Sequence, residues 1–233
     1  MCHPLHSVSR KMKGNLLLYY ITDRAQFSGD EEQKQRRLLA TIAECAMAGV
    51  DFIQLREKDL TTRELERLTA QALSVMPQGS PARLLVNSRI DVALACGAHG
   101  VHMPAGGLPA SEVRTIWMKA SSSIPIIAVS THSVPEVDFA EAHGADFSVY
   151  GPVFEKNGRA HPVGLEQLSQ ACNRPQHASP AMPIIALGGV TLDNIQECVT
   201  AGAAGIAAIR LFQDNQPQSV VQRLRAISLG TQG

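Results

Sequence analysis

Two adjacent glycines, Gly188 and Gly189, close the apolar run from Pro183 to Leu187, and a second short run from Gly205 to Ile209 follows and ends at Arg210. With no Cβ in the way, such a pair lets backbone N–H groups come close to an anion. In an eight-stranded β/α barrel, the loops after the last two strands make the usual phosphate site. Polar residues gather wherever the other apolar runs stop: Thr22 and Asp23; Arg56, Glu57 and Lys58; Asn87 and Ser88; His102; Ser130, Thr131 and His132; Glu155, Lys156 and Arg159. Any one of these fits an ordinary polar loop, so their convergence on one rim carries the argument. Arg56, Lys58, Arg159 and Arg210 around a glycine-rich loop suit a small substrate with a phosphate at one end and a second anionic group.

The elements that must position this set recur along the chain. Apolar runs start at Leu16, Asp51, Leu84, Gly100, Ile124, Phe147, Pro183 and Gly205, the number of strands that a barrel needs. They are near-continuous rather than alternating, as in a parallel sheet buried on both faces. Between them, Arg37 to Met47, Thr62 to Val75, Val134 to His143 and Leu192 to Thr200 carry helical spacing. Four junctions repeat a pattern in which glycine follows a helix and the next strand begins, at Ala48, Gly97, Gly144 and Ala201. The expected fold is α/β, a single TIM (β/α)8 barrel over residues 15–230, preceded by a loose polar tail over residues 1–14.

With 233 residues, 45% of them hydrophobic and 18% charged, the chain can bury one full core. Lys plus Arg and Asp plus Glu balance at 21 each, so no basic field points to nucleic acid. The five cysteines form no C-x-x-C pair, which suits reduced thiols and a cytoplasmic location. No run approaches a membrane span. Cys2, His3 and His6 in the tail have nothing to fix the geometry of a metal site.

The segments YYITDR at Tyr19, FIQLREKDLTTREL at Phe52, LLVNSRIDVALACGAHGVHMP at Leu84, STHSVPEV at Ser130, GADFSVYGPVF at Gly144 and PIIALGGVTLDNI at Pro183 resemble the thiamine phosphate synthase/TenI superfamily from Leu16 to Gln213. The resemblance implies a β/α barrel of thiamin biosynthesis. The synthase of that superfamily joins a pyrimidine diphosphate to a thiazole phosphate, with magnesium carrying the leaving diphosphate. The TenI branch includes a thiazole tautomerase.

Two departures favour the second branch. The synthase pattern has magnesium-binding aspartates at the positions of Ser88 and Gly107, and one hydroxyl does not replace two hard carboxylates. MPAGG after the fourth strand and NSRID after the third look TenI-like, and GPVFEKNGRAHPVGL keeps Arg159 but lacks the synthase's threonines. The expected activity is therefore a TenI-like tautomerisation of a thiazole carboxylate phosphate, an isomerase reaction. Its catalytic residues would be His132 as acid/base and Arg56 and Lys58 at the ring carboxylate. Gln54, Asn87, Ser130, Arg159, Gly188, Gly189, Ile209 and Arg210 would bind the phosphorylated thiazole. No cofactor or metal ligand is expected on this reading, and magnesium only on the synthase alternative. A non-catalytic thiazole or thiamin phosphate binder also stays open. Neither nucleic acid nor membrane is an expected partner, and a homo-oligomer is compatible with the sequence.

Overall fold

The computed structural model describes residues 15–154, 162–175 and 181–227; the expected tail at 1–14 lies outside them. Eight parallel strands close in sequential order: β1 (Leu17–Ile21), β2 (Phe52–Leu55), β3 (Arg83–Asn87), β4 (Gly100–Met103), β5 (Ile126–Thr131), β6 (Phe147–Tyr150), β7 (Ile184–Leu187) and β8 (Gly205–Ala208). The seam is the β1–β8 pairing, in which Leu17 faces Gly205 and Tyr20 faces Ala208. Around the barrel stand α1 (Glu31–Ala48), α2 (Thr62–Val75), α3 (Ile90–Cys96), α4 (Ala110–Ala120), α5 (Val134–Ala142), α6 (Gly164–Cys172), α7 (Ile195–Thr200), the short α8 (Arg210–Gln213) and α9 (Pro217–Arg225). The chain is thus the α/β TIM-type barrel that its pattern predicts. Among the described residues, no helix is long and apolar enough to cross a membrane.

The two-residue period of a strand divides the apolar side chains into two cores. Leu17, Tyr19 and Ile21 point into the barrel with Phe52, Leu85 and Phe147, while Leu16, Leu18 and Tyr20 point outward beneath the helices. Inside, the Phe52 and Phe147 rings lie 4.6 Å apart and Tyr19 meets both edge-on, an arrangement that favours aromatic pairs.

Helix boundaries differ from expectation where the sequence is polar. The first helix begins at Glu31, not Arg37, because Asp30 and Gln33 form a reciprocal capping box. Its first turns carry no apolar period to announce them. The seventh begins at Ile195, not Leu192, because the Asn194 side chain accepts from Thr191 N–H and donates to the Gly189 carbonyl, holding the preceding residues as a turn. At the four repeated junctions, Gly49, Gly97, Gly144 and Gly202 adopt the positive φ that ends a helix.

The strand N-terminal end is closed by carboxylate–arginine clasps. Asp51 accepts from the Leu18 amide at 2.9 Å and pairs with Arg225 of α9. Asp146 accepts from the Ile127 amide and pairs with Arg114, and Glu141 accepts from the Met182 amide and pairs with Arg174. Polar groups that are buried and mutually satisfied fix the register of their neighbours.

Candidate active site

At the opposite end, where the strand C-termini open, lies a cavity of about 520 Å³. Its walls include Asp23, Gln54, Arg56, Lys58, Asn87, Ser88, His102, Ser130, His132, Gly151, Gly188 and Ile209, so all eight strands deliver to it. Gln54 is buried and donates from Nε2 to Asn87 Oδ1 at 2.9 Å; Asn87 in turn donates to Ser88 Oγ at 3.2 Å. Both amides line the cavity. A mixed lining with a few convergent polar groups is what a small-ligand site requires.

The loop after β2 is pinned by a buried ion pair. Glu57 accepts from Thr22 Oγ1 at 2.6 Å, from the Arg24 amide and from the Arg24 guanidinium at 3.1 Å. Burial raises its carboxyl above the ordinary range, and the hydrogen bonds from Thr22 and Arg24 oppose that rise. Asp59 and Glu57 together hold the Arg24 guanidinium more firmly charged than usual. Thr22 Oγ1 also accepts from the Arg56 amide at 2.9 Å, so this network sets where Arg56 and Lys58 stand. Glu57, a rim candidate from its position, faces inward beneath the loop. The one sequence signal for Arg24 is its place directly after the end of the first strand.

His132 lies at the mouth of the cavity. Its ring Nδ1 donates to the Gly151 carbonyl, which leaves Nε2 as an acceptor in the neutral ring, and its amide donates to Glu136 at 2.6 Å. His102 is deeper. Its Nδ1 meets Tyr19 Oη at 2.9 Å and its Nε2 meets Ser130 Oγ at 2.7 Å. Burial, and secondarily the Arg56 charge, push its imidazole down to about 3, so it is neutral in any ordinary buffer. It is packed within its strand, as its apolar neighbours predict, yet it also forms part of the cavity wall.

A second cavity of about 290 Å³ adjoins the first, sharing Leu187, Gly188 and Ile209 with it. Gly189, Val190, Thr191, Arg210 and Leu211 also line it, with Ala207 and Ala208 of β8. The structure therefore brings Gly188, Gly189, Ile209 and Arg210 together, and places Arg56 and His132 in the adjoining space. Gly188 is required by its surroundings: its φ is +99°, and a Cβ there would stand 2.5 Å from Pro152. The Arg210 guanidinium donates to Gln26 at 3.2 Å, so its side chain lies along the loop after β1. Arg159, with Glu155 and Lys156, lies outside the described residues.

The positions where the resemblance places magnesium ligands do not fit that ion. Ser88 offers a hydroxyl already engaged by Asn87, Gly107 offers none, and Asp91 is paired with Arg89 at 2.5 Å. Among the described residues, Asp23 is the one carboxylate lining the cavity, and no cluster of three or more His, Cys, Asp or Glu gathers anywhere. Magnesium prefers several hard oxygen ligands, and this donor set does not supply them.

A family profile described as thiamine monophosphate synthase matches residues 18–212. A Geobacter sulfurreducens protein named "Putative thiamine-phosphate synthase" is 40% identical over 219 residues, covering 92% of this chain and 95% of its own length. A Halalkalibacterium halodurans thiamine-phosphate synthase is 36% identical, covering 82% and 85%. Among solved structures, a thiamine phosphate pyrophosphorylase from Pyrococcus furiosus superposes with a TM-score of 0.72 at 29% identity, covering 91% of this chain and 94% of that one. These likenesses correct the tautomerase expectation. That reading rests on positions 88 and 107, on short segments near them and on the loop after β6, whereas the likeness to proteins named as synthases runs through nearly the whole barrel. The isomerase assignment to the TenI branch is replaced by the transferase alternative.

Proposed function

The chain belongs to the thiamine monophosphate synthase family, and from that premise we propose that it is an enzyme of thiamin biosynthesis that joins a pyrimidine diphosphate to a thiazole phosphate in the rim cavity. The observation that carries this reading is the identity of 36–40% with proteins named as synthases over more than four fifths of the chain. The two adjoining cavities support it, since the reaction needs room for two ring systems and two anionic ends. In this reading the Gly188–Gly189 backbone holds the thiazole phosphate. Arg56 and Lys58 face the diphosphate and stabilise the charge that grows on it as it leaves. Gln54, Asn87 and Ser130 orient the pyrimidine ring against the thiazole, which turns a two-substrate encounter into a positioned reaction. His132 closes the mouth, anchored through Gly151.

The residues at the expected magnesium positions do not fit that ion, and these roles fall to the chain's own side chains and backbone. The test is direct. Purified protein is incubated with hydroxymethylpyrimidine diphosphate and thiazole phosphate, once with added magnesium and once with a chelator, and thiamin phosphate is quantified by fluorescence after oxidation. Formation of thiamin phosphate in either arm is the expected result. Its absence from both overturns the proposal.

A further inference from the structure

We propose that Tyr19 and His102 form a one-way hydrogen-bond relay that fixes Ser130 as a donor to the ligand, so that the ligand atom over Ser130 is a lone-pair acceptor carrying no hydrogen. The proposal rests on reading the rim cavity as the substrate site, but the direction of the relay follows from the barrel core alone.

Tyr19 Oη lies inside the barrel among Leu17, Phe52, Leu85 and Phe147. It is fully buried, and burial raises its phenol well above the ordinary value, so it keeps its hydrogen. Among the described residues, its hydrogen-bond partner is His102 Nδ1, at 2.9 Å. If Nδ1 carried the ring hydrogen, it would donate to Oη and leave the phenol hydrogen buried with no acceptor. An orphaned buried donor is disfavoured more than almost any alternative of equal hydrogen-bond count. The phenol therefore donates to Nδ1, and the neutral ring carries its hydrogen on Nε2.

Nε2–H then donates to Ser130 Oγ at 2.7 Å. Full protonation of the ring, which would reverse the first bond, is opposed by burial and by the Arg56 charge. With one of its two lone pairs occupied from below, Ser130 has its O–H and a second lone pair left over, and among the described residues that O–H has no acceptor. Ser130 lines the cavity, and among the described residues its hydroxyl makes no other hydrogen bond. It therefore presents that O–H to the ligand, and a ring nitrogen, carbonyl oxygen or phosphate oxygen is accepted there. An N–H or O–H pointed at the same place would have to take the remaining lone pair and turn the Ser130 O–H away from the ligand, where no described residue accepts it. Tyr19 and His102 are positioning residues: they touch no ligand and act through Ser130.

Two measurements test this. Nitrogen NMR of histidine-labelled protein, with His102 assigned as the resonance missing from His102→Gln, should show a bare Nδ1 and a protonated Nε2 between about pH 5 and 8. A protonated Nδ1 overturns the proposal. The second is a double-mutant cycle on kcat/KM for thiamin phosphate formation. Tyr19→Phe should cost roughly fivefold or more on its own, but less than about twofold in the Ser130→Ala background, because its effect travels through the serine. An equal cost in both backgrounds means that Tyr19 acts by packing alone and refutes the relay. If wild-type protein makes no thiamin phosphate, the function proposed above fails, and the NMR measurement still decides the relay.

Discussion

His102 should make the barrel sensitive to acid, and the size of the effect follows from its surroundings. Burial and Arg56 hold its imidazole down to about 3, against an ordinary value of 6.5. As pH falls below about 6.5 the unfolded chain takes up this proton and the native state does not, so the native state loses about 1.4 kcal/mol per pH unit. The loss runs from the unfolded value down to the native one. Between about pH 6.5 and 4 it amounts to roughly 3 kcal/mol, and in a domain of this size that is roughly 6–12 °C in Tm. His102→Gln does not titrate, while its amide can still accept from Tyr19 and donate to Ser130. Urea denaturation of both proteins across the window isolates the term, since the other titrating groups are common to both and cancel. The wild type should lose about 3 kcal/mol more than the variant on going to pH 4. A stability difference that stays constant with pH would show that His102 is not held neutral by its site.

Three further perturbations probe the rim. Arg24→Leu strands Glu57, whose side chain is only 2% exposed, and should cost about 3–5 kcal/mol, whereas the Asp59 arm, 70% exposed, adds little; calorimetry that finds Tm unchanged would remove the ion pair from the account of the loop. Gly188→Ala forces a Cβ against Pro152 at a positive φ and should cost about 1–3 kcal/mol together with loss of thiazole phosphate binding by titration calorimetry, so wild-type affinity in this variant would displace the phosphate from that loop. Arg56→Ala should raise KM for the pyrimidine diphosphate about 10- to 100-fold and leave KM for the thiazole phosphate near its wild-type value. The opposite pattern in steady-state kinetics would exchange the two ends of the site.

The barrel was legible because buried parallel strands read as unbroken apolar runs, and because four helix-to-strand junctions repeat a glycine whose positive φ the structure then shows. The start of α1 was not, since a helix whose first turns face water carries no period and only the Asp30–Gln33 box marks it. At the site, strand ends announce themselves by position alone, which is why Arg56, Ser130 and Gly188 could be named. What a strand end does not announce is direction. Arg56 and Glu57 are neighbours in one loop, yet one faces the cavity and the other a buried arginine. The contact between Tyr19 and His102 spans 83 positions, and no local pattern encodes such a pairing. The choice between branches failed for a related reason: two substituted positions describe metal chemistry, while family membership is distributed over the whole chain.

The seam between β1 and β8 has a consequence for the birth of the protein. Leu17 pairs with Gly205, where a Cβ would stand 2.3 Å from the Leu17 carbonyl oxygen, and Arg225 then bonds to the Leu16 and Gly49 carbonyls and to Asp51 across the same join. On a ribosome adding about 5–20 residues per second, the first strand therefore waits roughly 10–40 s for its second neighbour to be made. Through that interval its outer edge is an unpaired row of backbone donors and acceptors beside Leu17, Leu18 and Tyr20, the kind of surface that recruits other chains. The first strand of the barrel, fully buried once folded, is thus the earliest made and among the last enclosed, and its nascent form is exposed for the longest time.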